Sequence, residues 1–359
     1  MSLEVQRSRA LAARLHRHGL TRPMANEADY VELFRRLQPV SPAANSYPGS
    51  APRLMHRMTH DLSDADVADQ LRAHRTLVKG RFQGGTVAYV SVEDLPLFAA
   101  AYRQPLTRLD VRQEVAVRAL TYAGPLSPRQ LREETGLGYR PLMAAVHRLE
   151  RAFILCEDQT DDAWDRPLHL VEREFPDLWT QAPSTDEAVA EVLLRLLTAQ
   201  AFATTAQLAC GSGLGKRRTA QAVAGLEQTG RIEAAQLASQ DGAEVEVGWC
   251  VAGDSMADGA ADGSVEPIVR VLHARDPLVR PQLDDLSQRF AGREVLQYLL
   301  IGDDIHGAAC GHWRIKAHDV DDVVFPESML SHKDAVLAAV RRRYRPPDQQ
   351  VLACNGEPL

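Results

Sequence analysis

Through most of the chain apolar residues recur at every third or fourth position, the spacing of an amphipathic helix. At intervals this gives way to short runs in which apolar and polar residues alternate, the spacing of a strand. Leu3 to His18 has the helical spacing with basic residues on one side. NEADYVELFRRL reads as a second helix with Asn26 as its N-cap, and LSDADVADQLRAH as a third, capped at Ser63 with an acidic first turn. TLVKGRFQGGTVAYVS follows, with two β-rich runs around Gln83-Gly84-Gly85, a hairpin signal.

The order then repeats. VRQEVAVRALTYAGPL is a helix, SPRQLREETGL a second with Ser127 as N-cap and Pro128 at its first position, and YRPLMAAVHRLERAF a third; ILCEDQTDDAWDRPLHLVE is a strand, an acidic turn and a strand. DEAVAEVLLRLLTAQAF, TTAQLACGSGLG, KRRTAQAVAGLEQTG and RIEAAQLASQDGAEVEVGWCV make the same succession again, so neighbouring blocks form an internal structural repeat. GDSMADGAADGSVEP, small and polar, reads as a linker. Beyond it VLQYLLIGDDIHGAACGHWRI gives two strand runs around Gly302-Asp303-Asp304, SHKDAVLAAVRRRYR a closing helix, and the last residues a disordered tail.

Helices followed by a hairpin is the order of a winged helix. The expected fold is therefore α+β: three tandem winged-helix domains over 1–105 (with a proline-rich loop), 106–182 and 183–262 (with the linker). A β-rich C-terminal domain with a closing helix follows over 263–359. At 359 residues the chain is long enough for two to four domains, which agrees.

Charge and cysteine usage narrow the function classes. The net charge of −7 argues against a nonspecific polyanion binder, but the acidic residues cluster in predicted turns and the arginines elsewhere, so a local basic face remains able to grip phosphate. The five cysteines are scattered and form no CxxC, which fits a reducing compartment without a disulfide framework. No apolar run reaches membrane-spanning length and the first residues lack an apolar signal core, so the expected location is cytoplasmic, with no membrane partner. The sequence leaves the oligomeric state open. His306, Cys310 and His312 in IHGAACGHW are the nearest thing to a metal cluster; lacking a second ligand pair they read as ordinary strand residues, and no metal or cofactor is expected. GSGLGKRRT has Cys210 where a P-loop needs its first glycine, and a helix precedes it rather than a strand, so no nucleotide cofactor is expected either.

A helix-turn-helix places its second helix in the major groove and its wing along the backbone. In the second block that helix carries Arg140, His147, Arg148 and Arg151; in the third it begins with Lys216, Arg217 and Arg218. Arginine suits both phosphate and guanine because its donors form a rigid fork. These residues read either as DNA contacts or as solvated helix faces. Lys79 and Arg81 share one face of a predicted strand, joined by Gln83 if the strand stays regular; they read equally as a basic ridge entering a groove or as an exposed strand face. Arg341 to Arg345 is the densest basic run and reads as a favourable helix end.

Three blocks of this kind before a β-rich part resemble the AlkZ/YcaQ-type DNA glycosylases, often described only as winged-helix DNA-binding domain proteins. KGRFQGGTVAYVSVEDLPLF, AGPLSPRQLREETGL and VLHARDPLV carry the resemblance; the last is similar to that family's LSPFDPLV phrase, with Asp276 in the matching place. The resemblance implies a double-stranded DNA partner and monofunctional N-glycosylase chemistry on cationic N-alkylpurines or crosslinked bases. In the glycosylase members a loop after the second helix bears Gln-x-Gln or Gln-x-Asp, taken as catalytic. Here that loop is LQPVSP, within RRLQPVSPAANSYPGSAPRL and its four prolines. If Gln38 matches the first glutamine, the second position is Val40; if the register slides by three, the pair becomes Ser41 and Ala43. Gln38 is the candidate catalytic residue, with Asn45, Tyr47 and His56 as possible helpers. The incomplete motif leaves a second expectation beside the first: a non-catalytic, DNA-binding relative.

Overall fold

A computed structural model describes residues 3–43, 49–59, 63–161, 163–238, 245–256, 268–313, 318–344 and 349–359. The chain opens with β1 (Leu3–Gln6) and α1 (Arg7–Arg17), then α2 (Glu27–Leu37), α3 (Asp64–Ala73), the hairpin strands β2 (Leu77–Phe82) and β3 (Thr86–Ser91), and α4 (Leu95–Tyr102). The second block holds α5 (Val111–Ala123), α6 (Pro128–Thr135), α7 (Tyr139–Arg151), β4 (Leu155–Glu157), β5 (Leu168–Leu170) and two single-turn helices, α8 (Val171–Glu174) and α9 (Leu178–Gln181). The third holds α10 (Thr185–Gln200), α11 (Thr205–Ser212), α12 (Lys216–Gln228), β6 (Ile232–Ala238) and β7 (Val245–Val251). The last part runs β8 (Val269–Leu272), α13 (Leu283–Arg289), β9 (Val295–Ile301), β10 (Asp304–Cys310), β11 (Asp322–Val324), α14 (Lys333–Arg343), β12 (Ala353–Cys354) and β13 (Glu357–Pro358).

Local chemistry sets the element ends. The Asn26 side chain accepts from the Asp29 amide and starts α2, whose buried stripe is Tyr30, Leu33, Phe34 and Leu37. Pro39 lacks an N–H and forces Gln38 into extended backbone, so α2 stops there. Ser127 and Gln130 form a capping box at α6, as Ser184 and Glu187 do at α10. Gly136 and Gly213 end α6 and α11 in left-handed conformation.

Two expectations are corrected. Leu3–Gln6 is not helical: it is a strand, paired in parallel with β6 of the third block, Leu3 opposite Ala235 and Gln6 opposite Ala238. β1 thus ties the first block to the third. The main core also joins the blocks, packing Phe82 and Phe98 with Phe153 and Val171 and with Val189 and Leu193. Finally, the chain end is not a loose tail. β12 and β13 extend the C-terminal sheet, whose order is β13-β12-β11-β10-β9-β8, and α14 covers it through Val336 and Val340. Most of the expected linker lies outside the described residues.

Candidate functional site

The loop after α2 turns inward. Gln38 heads a cis peptide with Pro39. Its side-chain amide donates from Nε2 to Asp94 Oδ2 at 2.6 Å and accepts the Ser91 amide at Oε1, 2.7 Å. Only 7% of Gln38 is exposed. Asp94 also meets Arg35 Nε and Arg195 Nη1, each at 3.1 Å. Burial works to raise the Asp94 carboxyl, but the Gln38 hydrogen bond and the two guanidiniums outweigh it and hold the group below its ordinary value. Gln38 thus orients a buried carboxylate that two partly exposed arginines also hold.

Val40, the second position if Gln38 matches the first, is fully buried among Tyr30, Phe34 and Leu54. Its backbone exchanges both hydrogen bonds with Tyr89 of β3, 2.9 Å each. Ser41 is buried as well, its hydroxyl donating to Gln83 Oε1 at 3.3 Å. Neither register of the motif presents a pair of exposed polar side chains.

Gln83 stands at the centre of a junction between blocks. Strand β2 ends at Phe82, and Gln83 takes φ 46, so it does not continue the face of Lys79 and Arg81. Its Nε2 donates to the Pro39 carbonyl at 3.0 Å; Arg280 donates to Gln83 Oε1 at 2.6 Å and to its carbonyl at 3.0 Å. A Cβ on Gly213 would meet the Gln83 carbonyl carbon at 2.6 Å, and Gly213 has φ +67, so only glycine lets the α11–α12 turn sit against the hairpin tip. Gln83 is a buried joint and offers no surface for DNA.

Lys79 and Arg81 do share a strand face, but that face is turned inward. Lys79 is 4% exposed and pairs with Glu157 at 3.1 Å; Arg81 bridges Glu157 at 3.0 Å and Glu150 at 3.1 Å; Arg166 adds a third cation to Glu157 at 2.9 Å. Burial lowers the Lys79 ammonium despite its partner, and the three cations hold Glu157 below the usual range against the effect of its own burial. Lys79 and Arg81 form neither a basic ridge nor an exposed strand face: their charge is consumed between the blocks.

Beside this network lies a cleft of about 580 Å³. Pro42 from the motif loop, Gly85 and Thr86 from the hairpin, α7, the β4–β5 connection and Arg275 from the C-terminal part line it. Tyr139 and Trp164 are 59% and 79% exposed in its wall. Glu150, Glu157 and Asp165 are the carboxylates and Arg81, Arg166 and Arg275 the arginines. Tyr139, Trp164, Asp94, Arg275 and Arg280 were not singled out from the sequence; the lone tryptophan in the acidic run DDAWDR was the one available signal.

Of the remaining candidates, Arg140, Arg148, Lys216 and Arg217 are exposed on α7 and α12. Arg148 faces Asp110 at 3.9 Å, and His147 lines the cleft with Nδ1 at 3.0 Å from Glu150. Arg218 is tied to the Ala101 carbonyl at 2.7 Å. His56 points away from the cleft to the Val271 carbonyl, 3.0 Å. Asn45 and Tyr47 lie outside the described residues. Asp276 forms a two-pronged ion pair with Arg57 at 2.6 and 2.9 Å, both side chains wholly buried. Burial pushes the Asp276 carboxyl up, but Arg57 overrides this and keeps it below its ordinary value. Among the described residues no group of three or more His, Cys, Asp or Glu could hold a metal ion, and no helix is long and apolar enough to cross a membrane.

No curated protein matches the sequence. Among solved structures the chain is similar to the Streptomyces sahachiroi DNA glycosylase AlkZ. The TM-score is 0.69 with 14% identity, over 98% of this chain and 100% of that one, a likeness of fold. A family model, DNA glycosylase AlkZ-like, matches residues 52–345 and so begins beyond the Gln38 loop. With most of its length inside that match, the chain belongs to the AlkZ-like DNA glycosylase family.

Proposed function

We propose that the protein binds duplex DNA through three winged-helix units and holds an N-alkylated purine in the cleft, as a damage-recognising member of its family that does not use the glutamine motif for base excision. The observation that carries this is the pairing of a closed motif loop with an open cleft of mixed chemistry. An alkylated ring nitrogen makes a purine cationic. Exposed aromatic faces attract a cationic heterocycle. Arg140 and Arg148 of α7 and Lys216 and Arg217 of α12 supply phosphate contacts, which position the duplex without reading its sequence.

Excision needs a group that stabilises an oxocarbenium-like sugar and orients water. Gln38 has its amide fixed by Asp94 and Ser91, and Val40 offers a buried isopropyl group. Excision of cationic N-alkylpurines is the second reading, favoured if Gln38 takes the first position of the family's motif; it requires no protonated leaving group. Incubation with duplexes carrying N7-alkylguanine or N3-alkyladenine separates the two. Selective binding without abasic sites is expected; abasic sites in excess of spontaneous depurination would establish the second reading.

A further inference from the structure

A second cleft, of about 530 Å³, opens where the first block meets the C-terminal part. Its walls are β8, the last turn of α14 and the segment around His56. Arg270, Arg342 and Arg343 converge on it over a floor that includes Val271 and Ala339. We propose that this cleft binds a phosphate ester, either a backbone phosphate of a nucleic acid strand or the phosphate of a free nucleotide.

The argument rests on unmatched charge. Arg14, Arg17, Arg57 and Arg166 each meet a carboxylate at between 2.6 and 2.9 Å. Arg270, Arg342 and Arg343 have no carboxylate partner among the described residues, and no described residue lining the cleft is acidic. Half-buried Arg270 donates only to its own strand's Val269 carbonyl, 3.0 Å. Burial first, and then the charge of Arg342, lower its guanidinium. The dipole of α14 accounts for arginines in its own last turn. It does not account for Arg270, which a strand holds beside them. Like charges gathered in a cleft are unfavourable until an anion joins them, and planar guanidinium forks match phosphate oxygens in pairs. His56 contributes no charge: desolvation, with Arg57 and Arg270 beside it, pushes its imidazole down to about 4 against the effect of its Val271 hydrogen bond.

The test uses the full chain and the variants Arg270→Gln, Arg342→Glu and Arg343→Glu; the last two are exposed and decide the matter if Arg270→Gln disturbs folding. Pyrophosphate and AMP are titrated by calorimetry, and a labelled undamaged duplex by anisotropy across a salt series. A nucleic acid source gives weaker duplex binding by about tenfold and a salt slope shallower by about 1 in each variant. A free-nucleotide source gives saturable heats with pyrophosphate or AMP that the variants abolish, with duplex binding unchanged. Variants that alter neither overturn the proposal. Because neither arm uses damaged bases, failure here is separate from failure of the reading given to the first cleft.

Discussion

The side-chain nitrogen of Gln38 lies 2.6 Å from Asp94, a residue of the turn that leads from β3 into α4. This contact makes the motif glutamine a support for the hairpin and for the charges around Asp94. Removing it as Gln38→Ala leaves the Ser91 amide without its side-chain partner and takes from Asp94 Oδ2 one of its two donors, Arg35 remaining. A loss of about 1–3 kcal/mol in urea unfolding is expected, with duplex affinity unchanged. A glutamine held free for catalysis would show the reverse, full stability and altered chemistry.

Restoring the missing glutamine tests the same point from the other side. Val40→Gln places an amide in a fully buried apolar setting. A cost of about 2 kcal/mol or more is expected, and no gain of abasic-site formation on alkylated duplex. Gain of excision at undiminished stability would show that the loop opens.

The cleft and the helix arginines make separable contributions. Arg148→Glu combined with Arg217→Glu should weaken damaged and undamaged duplex by similar factors, since phosphates carry no sequence information. Trp164→Ala and Tyr139→Ala should instead reduce the preference for alkylated over undamaged duplex, by about 1–3 kcal/mol per lost stacking contact. Competition binding with matched duplexes reads both.

Breaking the Arg57–Asp276 pair leaves a charge stranded in the interior. Arg57→Met should cost about 3–5 kcal/mol in equilibrium unfolding, while the double change Arg57→Met with Asp276→Leu should recover part of it. Equal losses in single and double variants would show that the pair's other hydrogen bonds, to His18 and Met55, matter more.

Acid should loosen the same region. Burial foremost, then the Arg57 charge, push the His18 imidazole down to about 3. The folded state therefore refuses a proton that the unfolded chain accepts near pH 6.5. Above that pH the two states are equally unprotonated at His18 and nothing is lost. As pH falls from about 6.5 toward 3 the unfolded state gains the proton, and stability declines by about 1.4 kcal/mol per unit at most. Urea midpoints between pH 7 and pH 4 check this; a His18→Asn variant that folds should show a flatter profile.

Much of the helical framework was legible because its signals are local. Asn26, Ser63 and Ser127 each cap the helix they were expected to cap. Gly84 and Gly85 sit between the two strands they were expected to join. Pairings between distant segments were not legible. Leu3–Gln6 has no property that names β6 as its neighbour, and β12 and β13 are too short to stand out from a polar tail. The inward turn of Lys79 and Arg81 escaped for the same reason: a strand's alternation separates two faces but does not say which one another block will cover. Gln38 could be located but not interpreted, because its partner Asp94 lies 56 positions away.

The parallel pairing of β1 with β6 also sets an order in time. A ribosome releases Leu3–Gln6 long before Ile232–Ala238, and until the latter has been made the edge that pairs with it stays open. During that interval the opening strand is a free edge, the kind of surface that recruits other chains. The helices of the middle block share a core cluster of their own, but the final docking of the first block waits for the third. Shortened products that stop before β6 should therefore be poorly soluble even where their helices are intact.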